Sequence, residues 1–211
     1  MAHRYLSHLT IKGEMMPRPS LKDERSREIL DAFLTCVAHF GLEGATQERI
    51  AAEAGVKRTL LRHYLGNRDE MIRALLEYVV AGFSESTGAL AKLLGPDGDL
   101  MNLITLLFDQ RNASDPRLML AYQAMVASVD TYPEMREPLL NSLQSFLMVI
   151  ETAAKRSHPT CSPDKIRAVA HGISAAYVNL DALSPLNPPA DWQAAAKTAA
   201  TLLASSLKEP Q

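Results

Sequence analysis

Apolar residues recur at three- and four-residue spacing along most of the chain, in segments separated by prolines and glycines. This spacing places apolar side chains on one face of an α-helix, and the alternation typical of a β-strand is absent over any useful length. The first segment begins at Ser20 or Asp23 and ends at Gly41, a residue type that commonly terminates helices. Its apolar stripe consists of Ile29, Leu30, Phe33, Leu34, Val37 and Phe40. The pattern therefore predicts an all-α protein.

The next three segments have recognisable boundary residues. Thr46 is placed to cap a short second helix, and Gly55 allows a tight turn after it. A third helix is predicted over roughly residues 57–65. Asn67 can cap a long fourth helix over residues 68–94, which ends at the helix-breaking sequence GPDGD.

Further helices are predicted over 100–112, 117–129, 134–156, 163–183 and 191–207, with prolines near most of their ends. No period repeats along the chain, which argues against a helical-repeat solenoid. The predicted architecture is a three-helix head, residues 20–67, joined by a long helix to a larger helical body, residues 68–208. Residues 1–19 are predicted to be a flexible N-terminal extension.

Charge distinguishes the head from the body. The 211-residue chain is 47% hydrophobic with a net charge of −2, which gives it no general affinity for polyanions. Residues 46–68, however, contain five Lys or Arg against two acids, whereas residues 74–211 contain 10 basic and 14 acidic residues. A basic head on an acidic body indicates a localised contact with a negatively charged partner.

Other classes of protein find little support in the sequence. Cys36 and Cys161 form no CxxC or Cys/His cluster, which fits a reduced, cytoplasmic protein better than a disulfide scaffold or a metal site. No apolar run is long enough to span a membrane, and the N-terminus lacks a signal-peptide core. Glycine-rich phosphate loops, nucleophile elbows and paired catalytic carboxylates are absent, so we predict no enzyme activity and no cofactor.

The stretch IAAEAGVKRTLLRHYL has the spacing of a helix-turn-helix. Ala51 is small enough for a close helix crossing, and Gly55, four residues later, tolerates positive φ at the turn. An apolar face of Ile50, Val56, Leu61 and Tyr64 would then lock the two helices together. The polar face, which a DNA major groove can accept, consists of Lys57, Arg58, Thr59, Arg62 and His63. A basic face of this size that is merely solvated is the alternative.

Residues 28–75 resemble the TetR family of bacterial transcription regulators. The family pattern runs through a Thr-capped helix with IAxxAGVS to TLYxHFxxK, and this chain reads HFGLEGATQERIAAEAGVKRTLLRHYLGNRDEM. The residues that match in register are Thr46, Ile50, Ala51, Ala54, Gly55, Val56, Leu61, Gly66 and Arg68. The chain departs from the pattern at Lys57, where serine is usual, at Arg62, where tyrosine is usual, and at Tyr64-Leu65, where His-Phe is usual.

The resemblance implies a ligand-responsive repressor that binds a palindromic double-stranded DNA operator as a homodimer. Arg58, Thr59 and His63 are the candidates for contacts to base edges. The candidates for phosphate contacts are Thr46, Lys57, Arg62 and Arg68. Arg62 could replace the family's tyrosine with a charge-assisted bond.

The resemblance also implies an effector cavity in the body. Flexible methionines beside aromatic and polar residues suit such a cavity, which would take a small apolar or amphipathic effector, although core packing is the default role of each residue. The candidates are Phe83, Met101, Phe108, Met119, Tyr122, Gln123, Met125, Phe146, Met148 and His171. His171 could equally lie in the core or at a subunit contact.

Two further expectations concern assembly and switching. The last two helices carry more apolar surface than one body needs, which predicts a dimer interface that includes Ile166, Val169, Ile173, Tyr177, Leu180, Ala195, Ala199, Leu202 and Leu203. The fourth helix could transmit effector binding to the head, with Gly82 and Gly88 allowing a bend or, alternatively, close packing. The rivals are a protein-interaction module derived from such a regulator, without operator binding, and a helical enzyme.

Overall fold

The computed structural model describes residues 21–109 and 115–208, and these residues form helices and no strands. The helices are α1 (Leu21–Gly44), α2 (Gln47–Glu53), α3 (Arg58–Leu65), α4 (Arg68–Leu94), α5 (Leu100–Leu107), α6 (Pro116–Val126), α7 (Arg136–Ser157), α8 (Pro163–Ala182) and α9 (Ala190–Ser205). Short 3-10 turns at Pro133–Met135 and Ser184–Leu186 precede α7 and α9. The all-α prediction is confirmed. The predicted flexible extension, residues 1–19, lies outside the described residues.

Side-chain caps fix the helix starts around the head. The Thr46 hydroxyl accepts a hydrogen bond from the Arg49 backbone N–H (3.3 Å) at the start of α2. At the start of α4, the Asn67 side chain accepts from the Glu70 N–H (3.0 Å), and the Glu70 carboxylate accepts from the Asn67 N–H (2.7 Å). This reciprocal capping box satisfies two N–H groups that the helix leaves without partners. Both predicted caps are therefore confirmed.

Two helices, α5 and α6, end at least three residues earlier than predicted, and both ends have a structural cause. Helix α5 stops at Leu107 rather than residue 112 because Phe108 leaves the helical conformation. Its carbonyl accepts a hydrogen bond of 2.8 Å from the Gln193 side chain. Helix α6 stops at Val126 rather than residue 129, where the Ser128 N–H bonds to the Met125 carbonyl in a tighter turn. The predicted stop at Gly41 is seen as a kink with φ of 70° within α1.

The hydrophobic core consists of two clusters. The first contains the inward faces of α1, α2 and α3 and continues through α4 into α6, where Leu118, Ala121 and Met125 are buried with the head residues. The second joins α5, α7, α8 and α9 around residues such as Leu103 and Ile173. The head thus shares its core with part of the body across the boundary predicted at residue 67.

Gly82 marks the closest approach of α4 to α6. A Cβ built at this position would lie 2.9 Å from Leu118 Cδ2, so the Leu118 side chain would have to shift. The structure therefore favours close packing over bending at Gly82. At Gly88 an added Cβ would meet nothing within 4 Å.

No helix in the described ranges combines the length and apolar character needed to cross a bilayer.

Candidate nucleic-acid interface and effector cavity

The turn between α2 and α3 has the geometry expected of a helix-turn-helix. Gly55 has φ of +61°, a conformation that L side chains rarely adopt. The Val56 N–H donates to the Ala51 carbonyl (2.9 Å), and the Ala51 side chain is buried where the two helices cross. The small residue and the glycine therefore act as the sequence predicted. Together they fix the angle at which α3 leaves the head.

Helix α3 has one buried and one exposed face. Leu61 is fully buried, and Tyr64 and Leu65 are half-buried against the same core. The exposed side chains of the turn and helix are Lys57, Arg58, Thr59, Leu60, Arg62 and His63. Thr59 and His63 are four residues apart and point directly away from Leu61. The predicted outward set is thus exposed together, with Leu60, which the sequence interpretation missed, beside it.

The cations on this face differ in their surroundings. The Arg58 guanidinium donates to Gln47 Oε1 (3.1 Å) and pairs with Glu48 Oε1 (2.5 Å) on α2. The pKa of Glu48 is lowered, first by a backbone hydrogen bond at Glu48 and further by the Arg58 charge. Within the described residues, Lys57 and Arg62 form no ion pair or side-chain hydrogen bond. These two cations are therefore accessible to a negatively charged partner without breaking an existing contact.

Arg68 points into the protein. Its guanidinium donates to the carbonyls of Leu42 (2.5 Å) and Ala45 (2.8 Å), and it lies 5.3 Å from the centre of the Phe33 ring. These bonds tie the start of α4 to the corner between α1 and α2. These two bonds use two of the five guanidinium N–H donors, and the phosphate contact of Arg68 stays a prediction. Its role is to hold the head against α4.

A cavity of about 390 Å³ lies among α4, α5, α6, α7 and α8. This volume is in the range of small-molecule sites. The lining consists of Phe83, Ser86, Thr87, Ala89, Leu90, Leu93, Leu106, Leu107, Met119, Tyr122, Ser142, Leu143, Phe146, Tyr177, Val178 and Asp181. Four of the ten predicted ligand residues are brought together here, namely Phe83, Met119, Tyr122 and Phe146.

The other six lie elsewhere. Met101, Gln123, Met148 and His171 are exposed on the outer faces of their helices. Met125 and Phe108 are buried in the first and second core clusters. Residue type predicts these six side chains in the cavity, but each lies on a face of its helix that does not point into the cavity. The sequence interpretation missed the serines, Thr87 and Asp181, because no local pattern separates cavity-facing polar residues from solvent-facing ones.

The Arg117 side chain joins the cavity helix α6 to the head. Its terminal nitrogens donate to both carboxylate oxygens of Asp31 (3.0 and 3.1 Å) and to the Thr35 hydroxyl (2.8 Å), both on α1. It also binds Asp115 at the start of α6, with a shortest distance of 2.6 Å. Met119 and Tyr122, which line the cavity, lie on the same helix. Arg117 therefore links α6, which forms part of the cavity wall, to α1 of the head.

These bonds also stabilise the protein in a pH-dependent way. The pKa of Asp115 is lowered, chiefly by the side-chain hydrogen bonds from Arg117, while burial opposes the shift. A lowered pKa in the folded state means that this contact stabilises the fold above the ordinary carboxyl pKa of about 3.9. The contribution is lost as the pH falls through the lowered pKa.

The surface of α8 and α9 differs from the predicted dimer interface. Ile166, Val169 and Ile173 are buried in the protomer's own core, because they lie on the face of α8 that packs against α7 and α9. Tyr177 lines the cavity, and Leu180 and Leu203 pack against the second core cluster. The exposed apolar residues of α9 are Ala190, Trp192, Ala194, Ala195, Ala199 and Leu202, and the exposed residues of α8 include Ala168, His171 and Ala175.

Known proteins resemble this chain in sequence and in fold. No protein-family profile matches the chain. The HTH-type transcriptional regulator BetI of Agrobacterium fabrum is 26% identical over 164 residues, 76% of each chain. A TetR-family transcriptional regulator from Rhodococcus sp. superposes with a TM-score of 0.67 at 20% identity, over 86% of this chain and 99% of that one. The multidrug binding protein EbrR, solved with imidazole, gives 0.57 at 20% identity, over 92% and 98%.

The Arg68 contacts predict a stability effect. Arg68→Ala should lower the free energy of unfolding by about 2 kcal/mol, because it leaves two partly buried carbonyls without a charged donor. Arg62→Ala, which removes the same charge from an exposed side chain, should change it by less than about 0.5 kcal/mol. Urea unfolding of both variants measures the difference. Equal stability of the two would contradict the structural role of Arg68.

Proposed function

We propose a specific role for this chain, which belongs to the TetR family of transcription regulators: it represses transcription by binding a palindromic operator as a homodimer, and a small molecule releases it. Its relatives are regulators, and the chain is not an enzyme. The observation that carries the proposal is the exposed face of α3, with Thr59 and His63 at its centre and unpaired cations beside them. Because the target is chromosomal DNA, we place its action in the cytoplasm.

The surroundings of each residue support a division of contacts. Thr59 and His63, at the middle of the exposed face, are the candidates for base edges. Lys57 and Arg62, which have no partner in the described residues, are the candidates for phosphates, with the Thr46 hydroxyl beside them. Arg58 reaches DNA only after it leaves Glu48. Leu60, with 38% of its surface exposed, adds an apolar group suited to a thymine methyl.

Arg62→Ala tests the docking geometry. The operator is first obtained by sequencing genomic fragments that the purified protein retains. The variant should then bind every duplex more weakly, and its plot of log affinity against log salt should be shallower by about 0.9 per protomer, the value of one phosphate contact. Fluorescence anisotropy at several salt concentrations provides the measurement.

Arg167→Ala is the matched control for Arg62→Ala. It removes an equal charge from an exposed pair with Asp164 on α8, and it should leave the salt slope unchanged. An unchanged slope for Arg62→Ala would remove the proposed docking. If the wild-type protein shows no salt-dependent binding to any duplex, the rival interpretation, a module that contacts another protein, would replace operator binding.

The exposed surface of α8 and α9 supports the homodimer. Leu202 has 67% of its surface exposed and Trp192 has 51%, and the alanines between them permit close approach of another helix. Large apolar side chains grouped in this way indicate a protein contact rather than a solvated face. A two-fold arrangement of α8 and α9 from two chains would form a four-helix interface. Two heads related by that axis match a palindromic site.

Leu202→Asp tests this interface. A carboxylate within the apolar surface would lose hydration on association, so the variant should be monomeric at micromolar concentration and should bind the operator weakly. The control is Leu140→Asp on α7, where the leucine is also exposed (58%) but lies away from α8 and α9. Light scattering gives the mass of each. A dimeric Leu202→Asp protein would contradict this assignment.

The contacts of α6 support a route for effector release. An effector that contacts Met119 and Tyr122 acts on the same helix that Arg117 fastens to α1. Helix α4 offers a second connection, because Phe83 and Leu90 line the cavity while its first residue, Arg68, holds the head. An effector that favours one arrangement of these helices changes operator affinity only by its differential affinity for the two arrangements.

Arg117→Lys tests the α6 route. Lysine keeps the charge but lacks the planar fork that binds Asp31 and Asp115 together. We expect effector and operator each to bind, while the ratio of operator affinities without and with effector falls several-fold. The effector is any compound found to stabilise the protein thermally, and Arg167→Lys is the control. An unchanged ratio would leave α4 as the route, and tight effector binding that never alters operator affinity would remove the switch.

A further inference from the structure

The cavity is apolar on most sides and charged at one point. Its lining comes from five helices and is dominated by aliphatic and aromatic side chains, with a few hydroxyl groups. Asp181 is the one charged side chain among the described residues that line it. No lysine, arginine or histidine of the described lining neutralises this carboxylate. A single acid in such a wall is unexpected if the cavity takes only uncharged apolar molecules.

The position of Asp181 strengthens the negative potential. It is the second-last residue of α8, where the helix dipole adds partial negative charge. No hydrogen bond or ion pair involves its carboxylate within the described part of the chain. Burial alone raises its pKa above the ordinary aspartate value, since no cation nearby opposes the shift. The carboxylate therefore lacks in the protein the compensating charge that a partly buried acid requires.

Aromatic rings line the same space. Phe83 and Tyr122 form an edge-to-face pair with centres 5.4 Å apart, and Phe146 and Tyr177 form a tilted pair at 5.7 Å. Tyr177 lies one helical turn before Asp181 on α8. The Tyr122 hydroxyl donates to the Leu139 carbonyl (3.1 Å), which fixes its ring. The faces of such rings attract cations and also accommodate apolar groups.

We propose that the cavity selects a monovalent organic cation with an apolar or aromatic body, whose charge is matched by Asp181. The body of the ligand fills the space among the aromatic pairs, and its cationic group lies at the C-terminal end of α8. This inference rests on the proposed function in taking the cavity as the effector site. It replaces the broader expectation of an apolar or amphipathic effector with a definite charge.

A pair of isosteric probes isolates the charge. Benzyltrimethylammonium and neopentylbenzene have nearly the same shape, but only the first is charged. Calorimetric titration of the full-length protein should show that the cation binds at least about tenfold more tightly. Asp181→Asn should abolish this preference without weakening the neutral probe, and Asp181→Glu should retain part of it. Asp191→Asn, which removes an exposed carboxylate of α9, should behave as the wild type.

The possible results are distinct. Absence of binding by the cation, equal binding of the two probes, or a preference that survives Asp181→Asn would each overturn the proposal. Preferred binding of the neutral probe would also overturn it, because Asp181 would then give the cavity no attraction for a cation. Because no DNA is present, failure of operator binding leaves this result intact. A cation that binds as proposed but leaves operator affinity unchanged would refute the switch and not the site.

Discussion

The packing of α6 between the head and the cavity is the interaction on which the rest of the structure depends. One face of α6 buries Leu118, Ala121 and Met125 in the core of the head, and another presents Met119 and Tyr122 to the cavity. At residue 82 the approach to α4 is close enough that a Cβ would lie 2.9 Å from Leu118 Cδ2. Because densely packed interfaces do not deform continuously, α6 links the packing of the cavity wall to that of the head core.

The sequence predicted those features that depend on neighbouring residues. The caps at Thr46 and Asn67, the turn at Gly55 and the outward face of α3 are each determined within one or two helical turns, and all appear in the structure. The cavity depends on five helices that are distant in sequence. Local periodicity does not report which helix lies opposite a given side chain, so it does not separate the exposed Met101 and Met148 from the residues that line the cavity.

Charged residues show the same division between local and distant information. Arg68 matches a family pattern in sequence, yet its bonds run to carbonyls 23 and 26 residues earlier in the chain. Asp181 has no distinctive sequence context at all. On α3, charges exposed to water suit a long polyanion, since they retain hydration until contact. In the cavity a single carboxylate of reduced hydration has a stronger field, which allows it to discriminate among small molecules.

The shared core has a consequence for the biosynthesis and modularity of the protein. The three head helices leave the ribosome well before α6, so the residues that complete their core are not yet available to them. Until α6 docks, part of the apolar surface of α1 and α4 is exposed to water and to chaperones.

The head is consequently not expected to fold well when it is transferred alone to another protein. Grafted onto an unrelated body at residue 67, it would lack the side chains that α6 supplies, and a chimera would need α4 and α6 to be transferred with it.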